Sequence, residues 1–257
     1  MAPPEFSSDG QGDTSLILAV DAGNSRVKWA MHDGREFVRE GWVLRAELDA
    51  LPAQWSLLPG PSAIVIANVA GDEVGRRLRD YAGRWPTAPR WAGSTRSQCG
   101  VTSLYDTPSQ LGVDRWAALI GARKFSSDAC LVVNAGTAMT VDALSANGEF
   151  FGGVIVAGFD LMHEALAANT ARLSSERGEF AEFPRSTRDA ITSGAIQALC
   201  GAIDRMRTAM RAAGHGEAAL IVSGGSGALV ARHLGGPARL VEKLVLEGLV
   251  RIAMEPQ

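Results

Sequence analysis

The chain has 257 residues, 46% of them hydrophobic, and a formal net charge of −3. That length suits one large domain or two modest ones, and the apolar share is enough for a packed core. The slight negative balance argues against nucleic acid as the main partner, and no run approaches the roughly 18 apolar residues of a membrane helix.

Residues 1–14 carry Pro, Ser, Asp and Gly with almost no apolar content and are expected to form a disordered tail. The opening Met1-Ala2-Pro3-Pro4-Glu5 lacks the basic start and apolar stretch of a secretory signal, so cytoplasm is the expected location. An apolar run, Leu16-Ile17-Leu18-Ala19-Val20, then meets a glycine bend, Asp21-Ala22-Gly23-Asn24-Ser25. A returning strand and an Asp33-Gly34 turn follow, and together they predict a strand meander through residue 43. Residues 47–58 read as helical, 63–67 as a buried strand, and 72–82 as an amphipathic helix with Val74, Leu78 and Tyr81 at helical spacing. A loop region over 85–98 and a polar stretch over 105–115 lead into an apolar helix at 116–124.

Near Ser126 the order of elements starts again. Cys130-Leu131-Val132-Val133 runs into Asn134-Ala135-Gly136-Thr137-Ala138, and an Asn147-Gly148 turn precedes a strand to residue 155. Helices are predicted at 161–171 and 188–213, the second ended by Gly214. A strand at 220–222 enters Ser223-Gly224-Gly225-Ser226-Gly227, and helices at 228–234 and 242–254 close the chain. Meander, helix, strand, helix, twice over, is an α/β design. It divides into a tail (1–14), an N-terminal domain (15–125) and a C-terminal domain (126–257). A doubly wound nucleotide fold with one glycine turn is the competing architecture, and it leaves the second turn without a purpose.

A strand, a glycine bend and a returning strand present backbone N–H groups to an anion, and two such devices suggest a nucleotide clamped between two halves. Asp21, ending a buried strand, is placed to hold Mg²⁺ through water, and Lys28 could offset phosphate charge. The plain alternative is a polar hairpin turn. The Gly224-Gly225 turn lets backbone approach a flat ligand such as adenine, and it also serves as an ordinary strand-to-helix connection. Asp114 reads either as an N-cap or as a general base, and Arg115 as a surface cation or a carboxylate anchor. Cys99, Cys130 and Cys200 are scattered, the last two inside apolar runs as core thiols. His32, His163, His215 and His233 form no spaced cluster.

These motifs together resemble type III pantothenate kinase, a family of the acetate and sugar kinase/actin superfamily. The segment Asp21-Ala22-Gly23-Asn24-Ser25-Arg26-Val27-Lys28 is similar to its first phosphate motif, with Ser25 where threonine is usual. Residues 105–115, from Tyr105 through Gly112-Val113-Asp114-Arg115, resemble its pantothenate and catalytic segment. Residues 135–142 with 152–158 resemble the second phosphate motif, Ala157 standing where proline is usual, and Ser223-Gly224-Gly225 fits the adenosine motif.

The resemblance implies two duplicated actin-like (ribonuclease H-like) domains with the nucleotide cleft between them. It implies ATP on residues 21–28, Thr137, Gly224 and Gly225. Pantothenate falls on Tyr105, Gly112, Val113, Asp114 and Arg115, with Asp114 as proton acceptor. Thr187 resembles the threonine that the partner subunit supplies, so a homodimer with its substrate pocket at the interface is implied; the plain alternative for Thr187 is the N-cap of the helix that follows. Mg²⁺ accompanies ATP. A monovalent cation, K⁺ or NH₄⁺, is bound in many members beside an aspartate, and here that position is Asn134, which offers a carbonyl oxygen and no charge. The competing readings are another actin-like small-molecule kinase and a non-catalytic accessory protein on the same fold. Asp21, Lys28, Asp114 and Thr137 together favour a working enzyme.

Overall fold

The computed structural model describes residues 15–169 and 176–256. The expected tail over residues 1–14 lies outside the described residues. The chain order is β1 (Ile17–Ala22), β2 (Arg26–His32), β3 (Phe37–Leu44), α1 (Leu51–Trp55), β4 (Ala63–Asn68), α2 (Asp72–Ala82), β5 (Pro89–Trp91), β6 (Ser97–Gln98) and β7 (Val101–Ser103). It continues with α3 (Val113–Ala122), β8 (Cys130–Ala135), β9 (Ala138–Leu144), β10 (Glu149–Ala157), α4 (Phe159–Asn169) and α5 (Thr187–Ala212). It ends with β11 (Ala219–Ser223), α6 (Gly227–Arg232), β12 (Ala238–Leu240) and α7 (Leu244–Met254).

Two sheets result. The first has the order β3-β2-β1-β4-β5 and the second β12-β11-β8-β9-β10-β7-β6. Five strands of the second, β10-β9-β8-β11-β12, repeat the first strand for strand. Both sets have an antiparallel meander and two parallel additions beside its first strand. The internal repeat expected from the order of elements is therefore a repeat of sheet topology.

Burial follows the two-residue period of a strand. In β1, Leu18, Val20 and Ala22 face a core shared with Leu51, Trp55, Val74 and Leu78 from α1 and α2. Ile17 and Ala19 face the other way, into a core built on α3 and α7. That inner core also takes Cys130, Val132 and Ile221 from the second sheet, so α3 and α7 lie between the sheets. On the far side, Leu131, Val133, Leu220 and Val222 pack on Ile196, Leu199 and Ile203 of α5. The molecule is layered as helices, sheet, helix pair, sheet, helices.

The α3–α7 crossing is close because glycines meet backbone there. A Cβ on Gly121 would collide with the Leu244 carbonyl, and one on Gly248 with the Ala117 carbonyl.

Several expectations need correction. Residues 47–58 are not one helix: a 3-10 stretch, Arg45–Ala50, precedes the five-residue α1. The loop region over 85–98 contains β5 and β6, and β12 was not foreseen. The apolar helix expected at 116–124 begins at Val113, so Gly112 is its N-cap and Asp114 lies inside the first turn. At α5 the cap is Ser186, whose hydroxyl accepts from the Asp189 amide, and Thr187 is the first helical residue. Residues 170 and 171 of the helix expected at 161–171 lie outside the described residues.

The sheets also do not divide at residue 125. β6 and β7 join the second sheet beside β10, while α7 packs on β1 and β4 of the first.

Candidate active site

The carboxyl ends of β1, β8 and β11 open on one cleft of about 740 Å³ between the sheets. Asp21, Gly23, Asn24, Ser25, Arg26 and Lys28 line one wall. Asn134, Gly136, Thr137 and Thr140 line the opposite one, with Gly224, Gly225 and Ser226 beside them. Asp114 enters from the first turn of α3. A volume of this size accommodates a nucleotide-sized ligand.

The two glycine bends are built alike. Gly23 N–H donates to the Arg26 carbonyl at 3.0 Å, and Gly136 N–H to the Ala138 carbonyl at 3.1 Å. The ladder puts Asp21 opposite Lys28 and Asn134 opposite Thr140. Across the cleft, the hydroxyls of Ser25 and Thr137 are hydrogen-bonded at 2.7 Å, bridging the two bends. The third turn is held against the second. Gly224 has φ +95°, and a Cβ there would strike the Ala135 backbone. Ser226 N–H donates to the Ala135 carbonyl at 3.0 Å.

Asp21 and Asp114 bring two carboxyl groups to the cleft, with Lys28 on the same wall as Asp21. Burial pushes the Asp21 carboxyl up to about 7, Lys28 pulls it down, and the Asp114 charge adds to the rise. Among the described residues no group of three or more His, Cys, Asp or Glu could cage a metal. A single carboxylate such as Asp21 at the floor of an open cleft fits Mg²⁺, which takes one or two carboxylates and completes its shell with other oxygen ligands.

Beside the cleft floor lies a second polar cluster. Arg115 is buried and forms an ion pair with buried Asp142. Its Nε donates to Asp142 Oδ2 at 3.2 Å, and its Nη1 reaches the Tyr105 hydroxyl at 3.4 Å. Phe150 packs on Tyr105 and under the guanidinium. Burial works against the Arg115 charge, and the bonds and charges of Asp142 and Tyr105 together outweigh it. Asp142 in turn is pushed up by burial, and Arg115 and the Thr140 hydroxyl oppose that rise.

Of the expected residues, Asp21, Gly23, Asn24, Ser25, Arg26, Lys28, Asp114, Asn134, Thr137, Gly224 and Gly225 meet at the cleft. Ala22 and Val27 do not line it; their side chains are in the core behind β1 and β2, leaving only their backbone for a ligand. Tyr105, Gly112, Val113 and Arg115 flank Asp114 off the cleft lining. Thr187 is exposed and is not on the lining either.

The sequence reading missed Asp160, Glu164 and Arg177, which line the cleft with Phe159 and Leu229. Arg177 pairs with Asp160. Charged residues beside a surface helix give no one-dimensional signal of a cleft. Asp142 stood within a motif, and its partner was not legible.

A family model described as type III pantothenate kinase matches residues 17–209. Among relatives, a type III pantothenate kinase of Nitrosospira multiformis is 44% identical over 240 residues, spanning 93% of this chain and 92% of its own length. One from Nitrosomonas eutropha is 45% identical over 244 residues, spanning 93% and 95%. Among solved structures, ethanolamine utilization protein EutJ from Carboxydothermus hydrogenoformans aligns with TM-score 0.56 at 13% identity, over 99% of this chain and 90% of that one. A Sinorhizobium meliloti protein provisionally assigned as a 2-dehydro-3-deoxygalactonokinase aligns with TM-score 0.56 at 18% identity, over 92% and 98%. At such identities these two speak for the fold alone, which is two-domain and actin-like.

Proposed function

The chain belongs to the type III pantothenate kinase family, and from that premise we propose how its cleft carries out ATP-dependent phosphorylation of pantothenate. The reaction yields 4′-phosphopantothenate, the first step of coenzyme A synthesis. The observation that carries the reading is the convergence of Asp21, Lys28, Asp114, Thr137 and Gly224 on one cleft between duplicated sheets.

ATP lies with its phosphates between the Gly23 and Gly136 bends and its adenosine toward Gly224 and Gly225. Asp21 would hold Mg²⁺, which would supply charge neutralisation on the phosphates. Lys28 adds a point charge on the same wall. Asp114 takes the 4′-hydroxyl proton while that oxygen bonds to the γ-phosphorus and the bond to the ADP oxygen breaks. In such transfers the protein acts by positioning and electrostatics more than by covalent chemistry. Tyr105, Gly112, Val113 and Arg115 form the acceptor pocket beside the base.

The acceptor pocket is completed by Thr187 of a second protomer in a homodimer. Exposed apolar side chains on β10 and the run before α5 support such an interface, among them Ile155 and Phe183, the last 90% exposed. Among the described residues no helix is long and apolar enough to cross a membrane. We place the enzyme in the cytoplasm.

The test is ADP release with ATP and Mg²⁺, with and without pantothenate. Release that depends on pantothenate supports the reading. Turnover with a sugar or acetate instead favours another actin-like kinase, and inertness with every acceptor favours an accessory protein.

A further inference from the structure

Resting on that functional reading, we propose that Asp142 is a positioning residue for the acceptor substrate. It grips Arg115 by the Nε and Nη2 edge and so fixes the Nη1 edge toward the acceptor pocket.

The geometry is that of a fork held from behind. A guanidinium has five N–H donors in one plane, and a carboxylate matches two of them. Asp142 takes Nε through Oδ2 at 3.2 Å and Nη2 through Oδ1. That leaves Nη1, which among the described residues donates to the Tyr105 hydroxyl at 3.4 Å, a weak bond for two donors. The arginine is 6% exposed and Asp142 1% exposed, so neither swings into solvent. Phe150 sits under the guanidinium, its ring centroid 5.9 Å from Cζ, and limits tilt out of the plane.

Two further features fix Asp142 itself. Thr140, which lines the cleft two residues along β9, opposes the rise of the Asp142 carboxyl that burial causes, so Asp142 lies between the nucleotide wall and the acceptor pocket. On β10, Gly153 lies directly opposite Asp142 in the ladder. A Cβ on Gly153 would collide with Asp142 Oδ1 and would lie 3.0 Å from Arg115 Nη2. The missing side chain is the space the ion pair occupies.

A buried pair of this kind is weak evidence for stability, because desolvation of both charges offsets much of their attraction. An apolar pair of similar volume would fill the space without that cost. What the pair adds is direction. Arg115 is adjacent in sequence to Asp114, so a guanidinium locked in one rotamer fixes the acceptor relative to the base.

The test is steady-state kinetics of Asp142→Asn. Its amide keeps the volume and one acceptor oxygen but loses the charge that holds the fork. We expect KM for pantothenate to rise on the order of tenfold or more while KM for ATP stays within about twofold. A pantothenate KM that does not move overturns the proposal. So does a loss of kcat with both KM values shifted alike, the mark of a merely structural residue.

Should the variant fail to fold, the wild-type enzyme decides by NMR of the Arg115 Nε–H. A signal protected from exchange in the free enzyme, shifting with pantothenate and not with a non-hydrolysable ATP analogue, supports the proposal. An unprotected signal, or one that responds to the nucleotide analogue alone, overturns it. A wild-type enzyme inert toward pantothenate overturns the functional reading instead, and the protection of the Nε–H then still shows whether Asp142 holds Arg115.

Discussion

Asp114 sits in the first turn of α3, and its Oδ1 accepts from the Arg115 amide at 2.9 Å. Asn at this position keeps that bond and the fold but removes the base. Asp114→Asn should therefore lower kcat by about 10²–10⁴ with an unchanged melting temperature. Turnover at the wild-type rate under saturating substrates would reduce Asp114 to a helix-end residue. Asp21 poses a different balance. Burial raises its carboxyl from the usual 3.8 to about 7, so the folded state binds its proton more tightly than the unfolded chain does. The ligand-free protein therefore loses stability as pH climbs from about 4 to about 7. Asp21→Asn should raise the melting temperature at pH 8, with the gain shrinking toward pH 4, and should abolish turnover. A variant that melts lower than wild type at pH 8 would show that the Asp21 charge stabilises the fold. At Asn134 the cleft has an amide oxygen without charge, and ligand charge helps set the affinity of a hard cation. Activity in Tris buffer should respond weakly to added K⁺, and Asn134→Asp should sharpen the response. Strong activation of the wild type by low K⁺ would refute this.

At the scale of elements, the α3–α7 crossing carries the site. Gly248→Ala would push α7 away from Ala117, and overpacking of a close core contact costs about 1–3 kcal/mol. Denaturant titration should show that loss, and kcat should fall with it because Asp114 rides on α3. Unchanged stability would mean that the crossing yields freely. Most of this architecture was legible in the sequence. The meanders, α2 and α5 were marked by strict periodicity and by Gly34, Gly148 and Gly214, each with positive φ. What was not legible has physical reasons. β5 and β12 have three residues each, too few for a period to show, and β5 starts on Pro89 at a sheet edge. The start of α3 was placed too late because Gly112 caps it with backbone alone, without a side-chain hydrogen bond. The motif residues of the cleft were legible as a set. The Arg115–Asp142 pair was not, since strand register and burial decide it.

At the scale of the whole molecule, catalysis is expected to need two protomers. In a mixture of Asp114→Asn and Thr187→Arg variants, one hybrid pocket per heterodimer keeps both intact residues. Activity should reappear on mixing, and sedimentation should give a dimer. A fully active monomer would remove Thr187 from the pocket.

The position of α7 also has a consequence for how the protein is made. Ile17, Ala19, Val65 and Ala67 of the first sheet face a core completed by Leu244, Leu249 and Ile252. At a usual synthesis rate of about 5–20 residues per second, the α7 half of that cover follows on the order of ten to forty seconds after the strands, well after α3. The N-terminal lobe is thus the first to leave the ribosome and cannot be finished until nearly all of the chain has followed. The apolar face of the first sheet is therefore completed only when the second lobe is in place, which ties the final packing of the two lobes together.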